Sequence, residues 1–363
     1  MPKYCFSRNL DPNEPQEVKD AYFEAAKKLT EAQDRESANY NLFWDERNYL
    51  NQVDNIKASV FIIHGINDWN VKTNQCCPLF ELLQEKGLER KMMLHQGEHI
   101  YIYDLEGSDT LSIIERWLDH YLKGVDNGIE KEPKVLVESN VDQLKWLESD
   151  NWPPCEMEYV EYPIGREGEA VIVDDLGATV YDKEKDNQKE WLDELVLSEE
   201  ESYQNRIKVE WNPFEKYAEG STELRISGTV KVGFDAKLDK NTAILSAMLV
   251  EIGKDDRITA EEIKIDEEGT YRFGLAPSEF KVISRGWLNA QNRTTIWSKE
   301  ALQIGKSYHY EFDMVPTDHT VKAGHKLALI LYGIDAQETQ RPDTVTNITV
   351  DMASIDVKVP FVK

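Results

Sequence analysis

Two residues of this chain have the type and order needed for acid–base chemistry, Asp68 and His99. Asp68 stands four residues beyond the apolar run VFIIH (60–64). His99 stands two residues beyond Gly97, after the apolar run KMML (91–94). Each therefore falls on the loop that follows a strand, and the two strands are consecutive. In open α/β sheets functional groups gather at the carboxyl ends of strands. An acid followed 31 residues later by a histidine has the chain order of the last two members of a Ser-Asp-His triad. The residue types suit that chemistry. An imidazole takes the proton of an attacking hydroxyl and returns it to the leaving group, while a buried carboxylate fixes the imidazole's tautomer and stabilises the imidazolium. Taken singly, each residue has a plainer reading: an Asp in a turn commonly closes an Asx turn, and a His after a strand is commonly a hydrogen-bonded structural residue. Their joint occurrence favours the dyad. His95 and His99 also form an H-x-x-x-H spacing, but they flank a strand end rather than share a helix face. That spacing argues against a metal site, and no cofactor is expected. His64, His309, His319 and His325 read as structural.

The nucleophile of such a triad belongs earlier, on a G-x-S-x-G turn between a strand and a helix. These 363 residues contain no such pentapeptide. Ser7 and Ser37 follow no buried strand, Ser59 borders the VFIIH run, and Ser108 comes after His99. The expectation is that the chain begins past the point where the serine belongs, and is inactive unless complemented by a fragment that carries it.

The elements that must position the two residues separate into three regions. Residues 1–55 read as a helical segment. Asp11-Pro12 or Asn13 can cap its start, and Val18, Tyr22, Ala25, Leu29 and Ala32 recur on one helical face; a second, aromatic-rich helix is expected over Tyr40 to Leu50. Residues 56–128 alternate strand, helix, strand, helix, as at the end of a doubly wound α/β sheet. The VFIIH run suits a strand buried on both faces between two neighbours; without one neighbour it would leave an apolar, aggregation-prone edge. Thr110 to Leu122 is amphipathic, with Leu111, Ile114, Trp117, Leu118 and Tyr121 on one side. After the polar connector at 123–133 the period becomes two, and regularly spaced strands over 129–363 suggest a jelly-roll β-sandwich. The strongly charged stretch 183–206 reads as an excursion or loop within the sandwich. The fold class expected is thus α/β plus all-β.

Composition narrows the partners. Hydrophobic residues make up 40% of the chain, enough for sizeable cores. A formal net charge of -26 supplies no cationic surface for nucleic acid or anionic membranes. No apolar stretch approaches the ~20 residues of a membrane span, and the N-terminus lacks the apolar core of a signal peptide. Four irregularly spaced cysteines (Cys5, Cys76, Cys77, Cys155) match no metal or disulfide pattern. A cytoplasmic protein with reduced thiols is expected.

The run YNLFWDERNYLNQVDNIKASVFIIHGINDWNV (40–71) and the segment LHQGEHIY (94–101) resemble the Xaa-Pro dipeptidyl-peptidases of lactic-acid bacteria. LSAMLVEIGKDDRI (245–258), SRGWLNAQNRTT (284–295) and FDMVPTDHTVKAGHKLALILYGID (312–335) are similar to that family's C-terminal jelly-roll domain. The PTD…KAGH stretch is shared with cocaine-esterase-like and α-amino-acid ester hydrolases. The resemblance implies the C-terminal part of an α/β-hydrolase domain followed by a jelly roll, with residues 1–50 as the tail of a helical insertion. It implies Asp68 as triad acid and His99 as triad base. It also implies Asn70 as a contact to the substrate's backbone carbonyl and Val71 as a wall of a proline-accepting pocket. The substrates so implied are peptides with proline in second position, the family releasing N-terminal Xaa-Pro dipeptides through an acyl-enzyme. Two alternatives stand beside this: an acyl- or amino-ester hydrolase, and a non-enzymatic binding β-sandwich with a vestigial hydrolase remnant.

Overall fold

The computed structural model describes residues 12–100, 102–175, 187–200, 203–218, 220–267, 269–339 and 345–363. Ser7, Cys5, the possible cap Asp11, and Tyr101 of the LHQGEHIY segment lie outside the described residues.

The N-terminal helix α1 (Gln16–Ala32) forms where its periodicity predicts, but it starts after Pro15 with no side-chain cap and buries none of its residues. Its apolar face is open, with Tyr22 and Leu29 both exposed. The aromatic-rich helix expected over 40–50 is broken in two, a turn of helix α2 (Leu42–Asp45) and a 3-10 segment Tyr49–Asn55. Asn41 and Asn48 each accept a backbone N–H two residues on, and Asn side chains of this kind restart a turn rather than continue one.

A four-stranded sheet follows, in the order β1 (Val60–Gly65), β2 (Arg90–His95), β4 (Val135–Glu138), β5 (Trp146–Ser149). The first three strands are parallel and β5 is antiparallel to β4. This sheet runs past residue 128, where the change of sequence period suggests a boundary, because β4 and β5 complete it. Residues 60–64 of β1 are half-buried rather than buried on both faces, since among the described residues β1 pairs only with β2. Helix α3 (Cys77–Glu85) places Cys77, Phe80 and Leu83 in the core. Helix α4 (Thr110–Lys123) buries Ile113 and Trp117. Its buried face is rotated from the one expected, and Leu111 and Leu118 are exposed.

The remaining strands form two sheets over one core. One has the order β13 (Ser307–Asp313), β10 (Lys231–Leu238), β16 (Thr346–Val362), β9 (Glu223–Gly228), β14 (Thr317–Lys322), with β6 (Met157–Tyr162) and β7 (Glu169–Asp174) also on β16. The other runs β3 (Asp104–Leu105), β12 (Thr270–Asn289), β11 (Ile244–Ile265), β15 (Lys326–Tyr332), β8 (Arg206–Trp211). Val232, Phe234 and Val357 of the first sheet meet Leu245, Leu249 and Leu331 of the second.

The unbroken apolar run in β11 has a physical cause, because both its faces are covered. Leu245, Ala247 and Leu249 point into the sandwich core. Met248 and Val250 point outward, under helix α5 (Gln188–Leu197) through Trp191, Leu195 and Val196. The charged stretch expected as an excursion or loop thus contains a helix; its few apolar residues share one face, which the surrounding charges obscure in sequence.

Candidate active site

The site grows from the carboxyl ends of β1 and β2. Gly65 closes β1, and a Cβ there would lie 2.3 Å from the Glu98 carbonyl oxygen and 2.5 Å from that of Gly97. Only glycine permits the two loops to touch so closely. Beyond it, Ile66 N–H donates to the His95 carbonyl at 2.8 Å and Asn67 N–H to the Gly97 carbonyl at 3.1 Å. The loop carrying Asp68 is thereby laced to the loop carrying His99.

Asp68 is buried, 4% exposed. Its Oδ1 accepts the backbone N–H groups of Asn70 at 3.0 Å and Val71 at 2.9 Å. Its Oδ2 lies 3.1 Å from His99 Nδ1. The turn-forming and dyad-forming readings of Asp68 are therefore both realised, one by each oxygen. A carboxylate so held accepts from Nδ1–H, which leaves the Nε2 lone pair free to take a proton. The His99 side chain is 77% exposed, and Nε2 has no partner among the described residues. Asn70 and Val71 are exposed beside it, so the four residues singled out in the sequence come together. The His64 ring donates from Nε2 to the Val71 carbonyl at 2.7 Å, which fits its structural reading. His319 and His325 are likewise occupied, both bonded to the buried carboxylate of Glu251 at 2.9 and 2.6 Å.

Nothing in the sequence singles out the residues that brace the two loops. Asn67 Nδ2 donates to the Gln96 carbonyl at 2.6 Å. Gln96 in turn donates from its backbone N–H to Glu138 Oε2 and from Nε2 to the Glu138 carbonyl, both at 2.8 Å. Trp69 of the acid loop packs on the outer face of β11 and β15 in the sandwich, beneath the Arg285 guanidinium, which lies 5.1 Å from its ring centre. The one local signal for these contacts is that Asn67 and Trp69 flank Asp68.

Burial pushes the Glu138 carboxyl up to about 7, against the Gln96 N–H bond that favours its charged form. Burial, with His64 nearby, holds His95 down to about 4. The two act on stability with opposite sign. Glu138 contributes stability that is complete below its unfolded value of 4.5 and lost as pH rises through about 7. His95 contributes stability present above 6.5 and lost as pH falls through about 4. Over the shared window they offset. Glu138→Gln removes the first contribution, so on acidification from pH ~6.5 to ~4.5 the variant should lose about 2–3 kcal/mol relative to the unmodified chain. Denaturant midpoints measured across that range check this, and parallel profiles for the two proteins would refute it.

Comparison with known proteins fits this geometry. Residues 127–359 match the model of the X-Pro dipeptidyl-peptidase C-terminal non-catalytic domain, and residues 1–101 that of X-Pro dipeptidyl-peptidase of the S15 family. The chain belongs to the X-Pro dipeptidyl-peptidase family. It is 32% identical to the Xaa-Pro dipeptidyl-peptidase of Lactiplantibacillus plantarum, over 99% of this chain and 46% of that protein. It is 34% identical to a putative Xaa-Pro dipeptidyl-peptidase of Bacillus anthracis, over 93% of this chain and 51% of that protein. The chain thus spans about half the length of the curated relatives it matches. Among solved structures, it resembles an aminopeptidase from a marine sediment Thaumarchaeota archaeon (TM-score 0.65, 16% identity, 95% of this chain and 62% of that one). It also resembles an α-amino acid ester hydrolase (TM-score 0.62, 14% identity, 95% and 62%). At such identities the likeness is one of fold.

Within this chain the region matched as non-catalytic is not structurally separate from the Asp68–His99 pair. It begins inside the stretch that closes the α/β sheet, and its Glu138 holds the His99 loop through Gln96. Among the described residues no group of three or more His, Cys, Asp or Glu is arranged to hold a metal ion, and no helix is long and apolar enough to cross a membrane.

Proposed function

We propose that the chain supplies the acid and base of a serine-type Xaa-Pro dipeptidyl-peptidase, acting with a serine carried by polypeptide outside these 363 residues. The observation that carries this reading is the buried Asp68 carboxylate bonded to Nδ1 of an exposed His99. That arrangement orients Nε2 toward solvent at the carboxyl edge of the sheet, where a hydroxyl can approach it. His99 Nε2 removes the serine proton as the hydroxyl attacks the proline carbonyl. It then returns that proton to the departing amine, and a water, activated in the same way, releases the Xaa-Pro acyl group. Asn70 contacts the substrate's backbone carbonyl and Val71 lines the pocket for the proline ring, whose locked φ gives it a compact apolar shape. We read the four-stranded sheet as the end of an α/β-hydrolase domain and the two-sheet unit as a jelly roll.

The test joins ahead of residue 1 the part of the Lactiplantibacillus plantarum relative that lies outside its match to this chain. The folded chimera should release the chromophore from Ala-Pro-p-nitroanilide. A simple amino-ester chromogen serves as second substrate, because the fold is shared with an α-amino acid ester hydrolase. Turnover of the ester alone would replace the peptidase reading by an esterase one. A folded chimera that turns over neither substrate would overturn both.

A further inference from the structure

We infer that Lys281, on β12 of the sandwich, is a positioning residue for the Asp68–His99 pair. This rests on the dyad reading above.

Lys281 is half-buried, and its Nζ donates to Asn67 Oδ1 at 2.7 Å, across 214 residues of sequence. Asn67 is the residue before Asp68. Its amide nitrogen grips the Gln96 carbonyl, and its backbone N–H grips that of Gly97. One side chain therefore spans the acid loop and the base loop, and Lys281 orients that side chain. An amide can rotate to exchange its oxygen and nitrogen. A donor on the oxygen side fixes the orientation in which Nδ2 faces Gln96.

Burying a lysine is costly unless its donors are used. Among the described residues Lys281 makes no ion pair, and its side-chain bond goes to Asn67. Glu251, directly opposite it in the β11–β12 register, is engaged by His319 and His325. The adjoining cavity is only about 20 Å³, lined by Asn67, Gln96, Glu251, Arg257, Lys281 and His319 among others. The ammonium has little room to swing elsewhere. A domain matched as non-catalytic thus contributes, through one half-buried lysine, to how firmly the acid meets the base.

The readout is the tautomer of the His99 ring, followed by ¹⁵N side-chain shifts in the full chain with the imidazole neutral and assigned with His99→Gln. In the unmodified chain Nδ1–H should predominate, because Asp68 accepts from it. Asp68→Ala should move most of the population to Nε2–H; if it does not, the dyad reading itself fails. Lys281→Met and Asn67→Ala should each lower the Nδ1–H fraction by about twofold or more. The double variant should go no further than either single one, and Lys281→Arg, which keeps a donor, should restore most of it. If Asp68→Ala shifts the tautomer while Asn67→Ala and a folded Lys281→Met leave it unchanged, the positioning role is refuted and the dyad stands. Should Lys281→Met fail to fold, Asn67→Ala decides alone, since it cuts the same bridge at its other end.

Discussion

In the serine-bearing chimera, His99→Gln is expected to lower kcat for Ala-Pro-p-nitroanilide by about 10⁴–10⁶, with little change in KM. The size follows from the unit character of a triad: without the imidazole the serine keeps its proton and the leaving amine receives none, so both half-reactions stall. Asp68→Asn should cost about 10⁴, because an amide presented to Nδ1 stabilises the wrong tautomer while leaving the ring in place. The ordering is informative. His99 is 77% exposed, and its replacement should leave the denaturation midpoint nearly unchanged. Asp68 is buried and organises its own turn through Asn70 and Val71, so its loss should register in stability as well. Initial-rate kinetics on folded variants check both values, and a His99→Gln chimera within tenfold of the parent would remove the dyad from the mechanism.

Asp335→Ala is expected to destabilise the chain by about 3–5 kcal/mol, the largest loss of any single side chain considered. Asp335 and its ion-pair partner Arg285 are 0% and 4% exposed in their side chains, with Nη1 to Oδ2 at 3.2 Å. The same carboxylate accepts from Tyr332 OH at 2.7 Å and from Trp287 Nε1 at 3.2 Å, and its Oδ1 takes the N–H groups of Gln337 and Glu338. Its removal leaves a buried guanidinium without its counter-charge and four further donors unpaired. The cost comes from those orphaned groups rather than from the net worth of the pair, so Asp335→Asn, which still accepts, should cost clearly less. Urea denaturation of the three proteins tests this; a loss under about 1 kcal/mol for Asp335→Ala would show that water or a rearranged Arg285 makes good the pairing. Because Arg285 also lies over Trp69, the variant should loosen the acid loop too.

Much of this protein is legible in its sequence. Each of the acid and the base stands within about ten positions of the apolar run that precedes it, and their order is read along the chain, while Asn70 and Val71 are singled out through the family resemblance. Also legible are α3, β2 and most strands of the sandwich. These features are local: an apolar period reports which face an element buries, and a strand end reports where a loop must begin. Where locality fails, so does the reading. Helix α1 keeps its apolar period but buries nothing, since a period states what a face could bury and not what covers it. Helix α5 is hidden by charge because its burial depends on the outer face of β11 and β15, far away in the chain. The sheet continues through β4 and β5 because parallel pairing of β4 with β2 leaves no mark on the sequence of either strand. Lys281 is the clearest case: nothing in the residues around it distinguishes it from other strand lysines. The sequence by itself determined which carboxylate and which imidazole follow consecutive strands, because residue identity and chain order are read directly from it. Only the tertiary structure decided how they are held, because hydrogen bonds such as that from Lys281 to Asn67 join side chains whose partners are chosen by the packing of whole domains.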